Sequence, residues 1–379
     1  MGGPSTATGG GGPLYLDHLA STPLDADVLA AMLPWFQPDH AGNAQSAHHA
    51  PGRAAARAIS QSARAVAALV DAPADATVTF TPSASEANRL ALQGLAPAGV
   101  PVLVSAIEHD SVLRLVEGLR GADHAVTLLP VDGQGLLRLE ALEAALVEAG
   151  RPALLSLMAA NNEVGSLQPL AAVGALCRRH GTLWHCDGVQ RVATGPLTLG
   201  GKDRSGPDII TLSAHKLYGP QGVGALVARA GLAPARPWPW GTPPTALIVG
   251  FAEAARLALR RRDDDRAHLS ALTARLWAGL SAVLPGIRRN GPADGLPGCL
   301  NVTLAGVDAA DLLLDLPDLA LSTGSACRSA SGQPSHVLTA LGLDATAAFG
   351  SLRFGLGRGT TAADVDQAVA RIAAALRTR

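Results

Sequence analysis

Lysine occurs only twice in this chain, against thirty Lys plus Arg in all, and one of the two is Lys216. It stands in the run Ser213-Ala214-His215-Lys216-Leu217-Tyr218-Gly219-Pro220, directly after the apolar run that starts at Asp208 and ends at Leu212. Arginine carries the positive charge elsewhere, and a guanidinium does not deprotonate to attack a carbonyl. An amine kept at a strand end therefore points to covalent chemistry, a Schiff base with a carbonyl substrate or with pyridoxal 5'-phosphate (PLP). Lys202, in the polar Gly201-Lys202-Asp203-Arg204, is the ordinary solvated case. Asp187 narrows the choice, because it closes the strand-like run Thr182-Leu183-Trp184-His185-Cys186. A carboxylate in such a place can hold a pyridine nitrogen protonated, which makes the ring an electron sink for a carbanion at the substrate α-carbon. An Asp after a strand is common by itself, and Lys216 behind it is what gives the pair its meaning.

With these residues in hand, nearly the whole chain, from Tyr15-Leu16-Asp17 to the final helix, resembles the cysteine desulfurases, the class V group of fold-type-I PLP enzymes. The resemblance implies that Lys216 carries the cofactor, that Asp187 meets its pyridine nitrogen, and that His109, in Glu108-His109-Asp110-Ser111, stacks on its ring. Contacts to the phenolic oxygen fall on Asn162, in Asn161-Asn162-Glu163-Val164-Gly165, and on Gln190. Phosphate ligands fall on Ser213 and His215 and on Ala84-Ser85, which open a helix whose N-terminal amides suit an anion. The substrate carboxylate is assigned to the guanidinium fork of Arg353, with Asn43 and His49 lining the same side. The sulfur-accepting cysteine falls on Cys327, in Ser322-Thr323-Gly324-Ser325-Ala326-Cys327-Arg328-Ser329. A run this small and polar reads as an accessible loop, and the adjacent Arg328 favours the thiolate. Cys177, Cys186 and Cys299 lie in helix- or strand-like segments and read as buried thiols.

The implied activity is removal of sulfur from L-cysteine, giving L-alanine and a persulfide on Cys327 that passes to an acceptor protein or small thiol. The acceptor and the pathway, whether iron–sulfur cluster assembly, tRNA thiolation or another, stay open. Two other readings share Lys216 and Asp187: a different PLP reaction on a small amino acid, such as selenocysteine lysis or transamination, and a catalytically idle scaffold. The chain also departs from the family pattern. Pro82 and Ser83 stand in the phosphate turn where the family has Ser-Gly, which removes a backbone donor and glycine's freedom. Arg89 replaces an asparagine. The glycine-rich loop that reaches the partner subunit is cut to Pro237-Trp238-Pro239-Trp240-Gly241-Thr242, leaving Thr242 as the residue to touch a phosphate across the expected homodimer.

Strand-like runs must position these groups: residues 77–80, 100–105, 125–131, 153–158, 182–187, 208–213 and 222–228, alternating with helix-like segments such as 111–120 and 139–149. That alternation predicts an α/β fold with a mainly parallel seven-stranded sheet and helices on both faces, in which ligands gather at the strand ends. After Val249 the pattern turns to a long charged helix, Phe251 to Val283, with residues 260–265 as its solvated face. We expect a large domain over 28–249, a smaller α+β domain from 13–27 with 250–379, and a disordered Gly-Ser-Thr-Pro tail over 1–12 without signal-peptide features.

Thirty basic against thirty-one acidic side chains leave a formal charge of −1, which argues against general affinity for nucleic acid or anionic membranes. No apolar run reaches the roughly 18 residues of a membrane helix. Four irregularly spaced cysteines give no disulfide framework, and a reactive thiol implies a reducing compartment, the cytoplasm by default. Cys177, His180, His185 and Cys186 have zinc-ligand types, but a helix end and alternating strand faces do not converge them, so no metal site is expected.

Overall fold

The computed structural model describes residues 13–95, 99–120, 124–150, 152–201, 205–232, 241–323 and 332–379. A short strand β1 (Leu14–Tyr15) and helices α1 (Ala26–Met32) and α2 (Ala50–Leu69) lead into the main sheet. Its strands are β2 (Thr77–Thr81), β3 (Val102–Ser105), β4 (Val126–Leu129), β5 (Leu154–Ser156), β6 (Leu183–Asp187), β7 (Ile209–Ser213) and β8 (Gly224–Ala228). Helices α3 (Ala84–Leu95), α4 (Asp110–Arg120), α5 (Leu139–Ala149) and α6 (Leu170–Arg179) run between them. The spatial order is β2-β8-β7-β6-β5-β3-β4. Strands β3 to β7 pair in parallel, and β8 runs antiparallel to both its neighbours.

Every residue of β5, β7 and β8 is buried, because helices cover both faces and a parallel sheet of this kind has no solvent side. The near-continuous Leu, Ile and Val of these strands is what such a sheet requires. The seven strand-like runs read from the sequence are the seven strands of this sheet, trimmed at their ends except for β2, which runs one residue further, to Thr81.

Helix α7 (Thr245–Val283) begins six residues before the expected Phe251. The physical reason is Pro243-Pro244, which cannot lie inside a helix, followed at once by Ala246 and Ile248, which are buried. Its first half gives Ile248, Phe251, Ala255 and Ala258 to the core beneath the large sheet. Its second half gives Leu269, Leu272, Leu276 and Leu280 to a separate core.

There follow β9 (Arg288–Asn290), β10 (Cys299–Thr303), α8 (Ala309–Leu314), β11 (Leu319–Ala320), β12 (Ser322–Thr323), α9 (His336–Ala340), α10 (Ala345–Phe349), β13 (Ser351–Gly355) and α11 (Ala362–Arg377), which close that second core except for α9 and α10, whose Val337, Leu338 and Ala348 pack instead with Ile107, Val131 and Val164. Four of these strands form an antiparallel sheet in the order β12-β13-β10-β9, and β11 pairs in parallel with β1. The chain leaving β1 becomes a strap over residues 16–22. Gly355 N donates to Leu16 O at 2.7 Å and His18 N to Gly355 O at 3.0 Å. A Cβ on Gly355 would stand 2.6 Å from Leu19 N, so only glycine lets the strap lie this close to β13.

The charged run 260–265 is not wholly the solvated face expected of it. Asp265 turns inward at 9% exposure. Its carboxylate takes Arg358 Nε at 3.0 Å and Nη2 at 2.8 Å. Arg358 also donates to Asp25 at 3.0 Å and stacks 4.2 Å from the centre of the Tyr218 ring. Its amide donates to the Tyr218 hydroxyl at 2.6 Å. Tyr218 has φ +63°, a conformation that a bulky residue adopts only when its surroundings hold it. One arginine therefore ties the small lobe, helix α7 and the turn after Lys216 together. Replacing it leaves the buried Asp265 carboxylate without its ion-pair partner and half-buried Asp25 with Arg261 alone at 4.0 Å, so Arg358→Leu should cost about 3 kcal/mol in urea denaturation. Adding Asp265→Asn to that variant should recover part of the loss.

Candidate active site

The C-terminal ends of the parallel strands open onto a cavity of about 540 Å³, within the usual size of a small-molecule site. Strand β7 ends at Ser213, and one 3-10 turn over Ala214–Lys216 swings the lysine over the rim. Lys216 Nζ donates to Ala20 O at 2.7 Å and to Leu19 O. The strap is itself sewn to this turn, since Thr22 N donates to His215 O at 2.9 Å and Tyr218 N to Thr22 Oγ1 at 2.7 Å. Burial, and then the Lys216 charge, push the His215 imidazole down to about 4, so it stands neutral beside the lysine.

Asp187 closes β6 at 8% exposure, and both its oxygens accept N–H groups: Oδ1 from Val189 N at 3.0 Å and Oδ2 from Asn88 Nδ2 at 3.1 Å. Asn88 accepts from Thr211 Oγ1 at 2.6 Å and donates to Ser111 Oγ at 3.2 Å. His109 Nδ1 lies 2.9 Å from Ser111 Oγ and accepts from Ser111 N at 3.1 Å. Behind Asp187, fully buried His185 bridges Ser156 Oγ at 2.9 Å and Thr211 Oγ1 at 3.3 Å. Burial pushes that imidazole down to about 4. Glu108, fully buried and lining the cavity, takes Met158 N on Oε1 at 2.7 Å. Burial, reinforced by the Asp187 charge, raises its carboxyl well above the ordinary range, so it keeps its proton.

At the other end of the cavity α3 starts at Ala84, and the first amides of a helix have no carbonyl within it. Ser83 Oγ caps the amide of Glu86 at 3.2 Å, which leaves the first two amides to the rim. A Cβ on Gly224 would come within 2.7 Å of Ala84 N and 2.6 Å of Ser83 C, so the bare glycine in β8 is what admits this turn. Ser83 thus serves the cradle by capping, despite lacking glycine's freedom. Ala84, Ser85, Ser213 and His215 all line this end.

Arg353, on β13, is 2% exposed and lines the cavity from the small lobe. It donates to Asp17 Oδ1 at 2.8 Å, Ser322 Oγ at 3.0 Å and Asn162 O at 3.3 Å. Its Nε is buried with no hydrogen-bond partner among the described residues. Asn162 and Gln190 line the cavity, with Gln190 Nε2 turned to Leu19 O at 3.1 Å. Asn43 and Thr242 hydrogen-bond each other at 3.3 Å but do not line it, and His49 caps α2 through Gly52 N. Cys327, with Trp238 and Trp240, lies outside the described residues. The three described cysteines are all buried, and burial pushes Cys177 and Cys299 up to about 12 and Cys186 well above the ordinary thiol range.

An aldehyde cofactor carrying a pyridine ring and a phosphate fits this donor set: a carboxylate with both oxygens already orienting it, a lysine amine, and a helix N-terminus with two hydroxyls and a neutral imidazole. The sequence agrees, since the family model for aminotransferase class-V matches residues 14–241 and 238–368. The chain belongs to the aminotransferase class-V family.

Among members of that family, the mitochondrial cysteine desulfurase of Drosophila melanogaster is 39% identical, over 94% of this chain and 79% of its own length. A solved NifS-like protein superposes with a TM-score of 0.86 at 28% identity, covering 97% of this chain and all of that one. SspA in complex with cysteine is 31% identical with a TM-score of 0.76, over 90% of this chain and 98% of that one. The fold is that of the fold-type-I PLP enzymes.

Within this class-V site several groups escaped the sequence reading. Glu108 and Ser111 flank His109 in one short run and were within reach of it. Asn88, Asp17 and His336, whose Nε2 lies 2.9 Å from Glu108 O, enter only through long-range packing. The two buried titrating groups give opposite pH signatures. A histidine with a lowered folded value loses stability as pH falls from 6.5 toward 4, since the unfolded chain binds the proton first. On acidification from about pH 7.5 to 5, wild type should therefore lose about 2 kcal/mol more than His185→Gln. A carboxyl with a raised folded value destabilises as pH rises above its unfolded value. Glu108→Gln should accordingly gain on wild type as pH increases, with urea midpoints reading both.

Proposed function

We propose that the protein is a PLP-dependent cysteine desulfurase that converts L-cysteine and the Cys327 thiol into L-alanine and a Cys327 persulfide, for transfer to an acceptor protein or small thiol. The observation that carries this reading is the convergence on one cavity of the Lys216 amine, the Asp187 carboxylate and the Arg353 guanidinium, from three different parts of the chain. The relatedness to proteins named cysteine desulfurase supports it.

In this reading Lys216, Asp187, His109, Asn162, Gln190, Ala84, Ser85, Ser213 and His215 hold the cofactor. When bound, that group supplies an aldehyde for the substrate amine and a pyridine ring able to take up electrons from the α-carbon. Asp187 keeps the ring nitrogen protonated, because both its oxygens are fixed by N–H donors and it cannot rotate away. Arg353 receives the substrate carboxylate, and its buried Nε is the donor still to be satisfied. Lys216, whose Nζ donates to two carbonyls of the strap, is held where its amine can carry the α-proton. The Cys327 thiolate attacks the substrate sulfur: an S–S bond forms as the C–S bond breaks, and the electron pair returns to the substrate carbon, which takes a proton to become alanine.

No helix among the described residues is long and apolar enough to cross a membrane. We assign the protein to the cytoplasm and to a homodimer in which Thr242, held by Asn43 at 3.3 Å, serves the partner's site.

Two measurements test the reading. PLP-loaded protein should release alanine from L-cysteine in step with sulfide when a reducing thiol is present, and Cys327→Ser should lose both; activity that survives this change would indicate a PLP reaction of another kind. Arg353→Lys, which keeps the charge but loses the planar fork, should raise KM for L-cysteine about tenfold or more.

A further inference from the structure

The hydrogen bonds around Asp187 have determined directions. An ionised carboxylate only accepts, so the Asn88 amide must present Nδ2 to Asp187, and its Oδ1 then faces Thr211. Thr211 spends its proton on Asn88 Oδ1 and must accept from His185 Nε2, which leaves His185 Nδ1 to accept from Ser156. In the other direction, the second Asn88 Nδ2 hydrogen goes to Ser111 Oγ, so the Ser111 hydroxyl points its own proton at His109 Nδ1. The same Nδ1 already faces the Ser111 amide hydrogen at 3.1 Å. Two donors converge on this nitrogen, and a proton on it would meet both. Asn88 is 1% exposed and Thr211 fully buried, so water does not replace the bond between these two.

We infer that Asn88 and Ser111 are positioning residues that hold His109 as the tautomer with its proton on Nε2. The inference rests on the desulfurase reading for its catalytic meaning. In the resting site His109 is then a proton donor through Nε2 and not a base, and the α-proton of the substrate falls to Lys216 alone. The Asp187 carboxylate and the His109 ring, which bracket the cofactor's place, are polarised by one amide, so the charge on Asp187 sets the tautomer of the histidine through two side chains.

The experiment is two-bond 15N–1H correlation spectroscopy on the full chain labelled in histidine, recorded with and without PLP, with His109→Gln to assign the resonances. Wild type should show His109 protonated at Nε2. Removing one of the two donors in Ser111→Ala should raise the Nδ1-protonated share about fivefold, the value of one neutral hydrogen bond, and Ser111→Thr should restore the original pattern. Asn88→Ala, which releases the Ser111 hydroxyl, should act in the same direction. In cysteine turnover Ser111→Ala should lower kcat only in proportion to the Nε2-protonated share that is lost, with KM unchanged, and Ser111→Thr should recover it. Unchanged tautomers in both Ser111→Ala and Asn88→Ala would overturn the inference. If the tautomer shifts as expected while no form of the protein, wild type included, yields alanine from cysteine, the network stands and the desulfurase reading fails.

Discussion

A carboxylate held at the end of a buried strand is the constraint around which this site is organised. Asp187 accepts N–H groups on both oxygens and stands among groups that burial keeps uncharged: Glu108 with its proton, His185 without one. A second negative charge at Glu108 would face Asp187 across a medium of low dielectric, and the neutral form avoids that repulsion. The polar groups behind the sheet exist to satisfy one anion, and each can do so only in one orientation.

The opposite wall is made by backbone more than by side chains. The strap over residues 16–22 comes from the small lobe, crosses β13 where Gly355 permits it, and presents two carbonyls to Lys216. Asp17 at its start meets Arg353, and Ser21 and Thr22 at its end meet His215 and Tyr218. The lysine that defines the large lobe's chemistry and the arginine that faces it from the small lobe are thus registered against the same seven residues of chain.

What was legible in the sequence was the part governed by local order. Lys216 and Asp187 stand out because one closes a strand and the other ends the single turn after the next, and a parallel sheet puts consecutive strand ends on one rim. The central strands could be read because burial on both faces makes β3, β5, β7 and β8 nearly uniformly apolar. The partnerships could not be read. Asp17 and Arg353 lie 336 positions apart, and nothing near either predicts the other. Asn88 reads as a polar residue on an ordinary helix until the sheet brings Asp187 and Thr211 beneath it. Asp265 looked solvated because its neighbours are charged, whereas its side chain points along the helix toward an arginine far away in sequence. The first turns of α7, Thr245 to Gly250, are apolar, so the charged pattern that marks the helix in the sequence begins only after them.

Helix α7 spans 39 residues, about 58 Å at the usual rise, and its two halves are buried in different cores. A linker of ordinary loop would let each lobe melt on its own terms. Here the two apolar faces lie on one unbroken helix, separated by the charged stretch 259–268, in which Asp265 alone is buried and is held by Arg358. The helix therefore acts as a rigid spacer that fixes how far apart the two cores stand, and with them the two walls of the cavity.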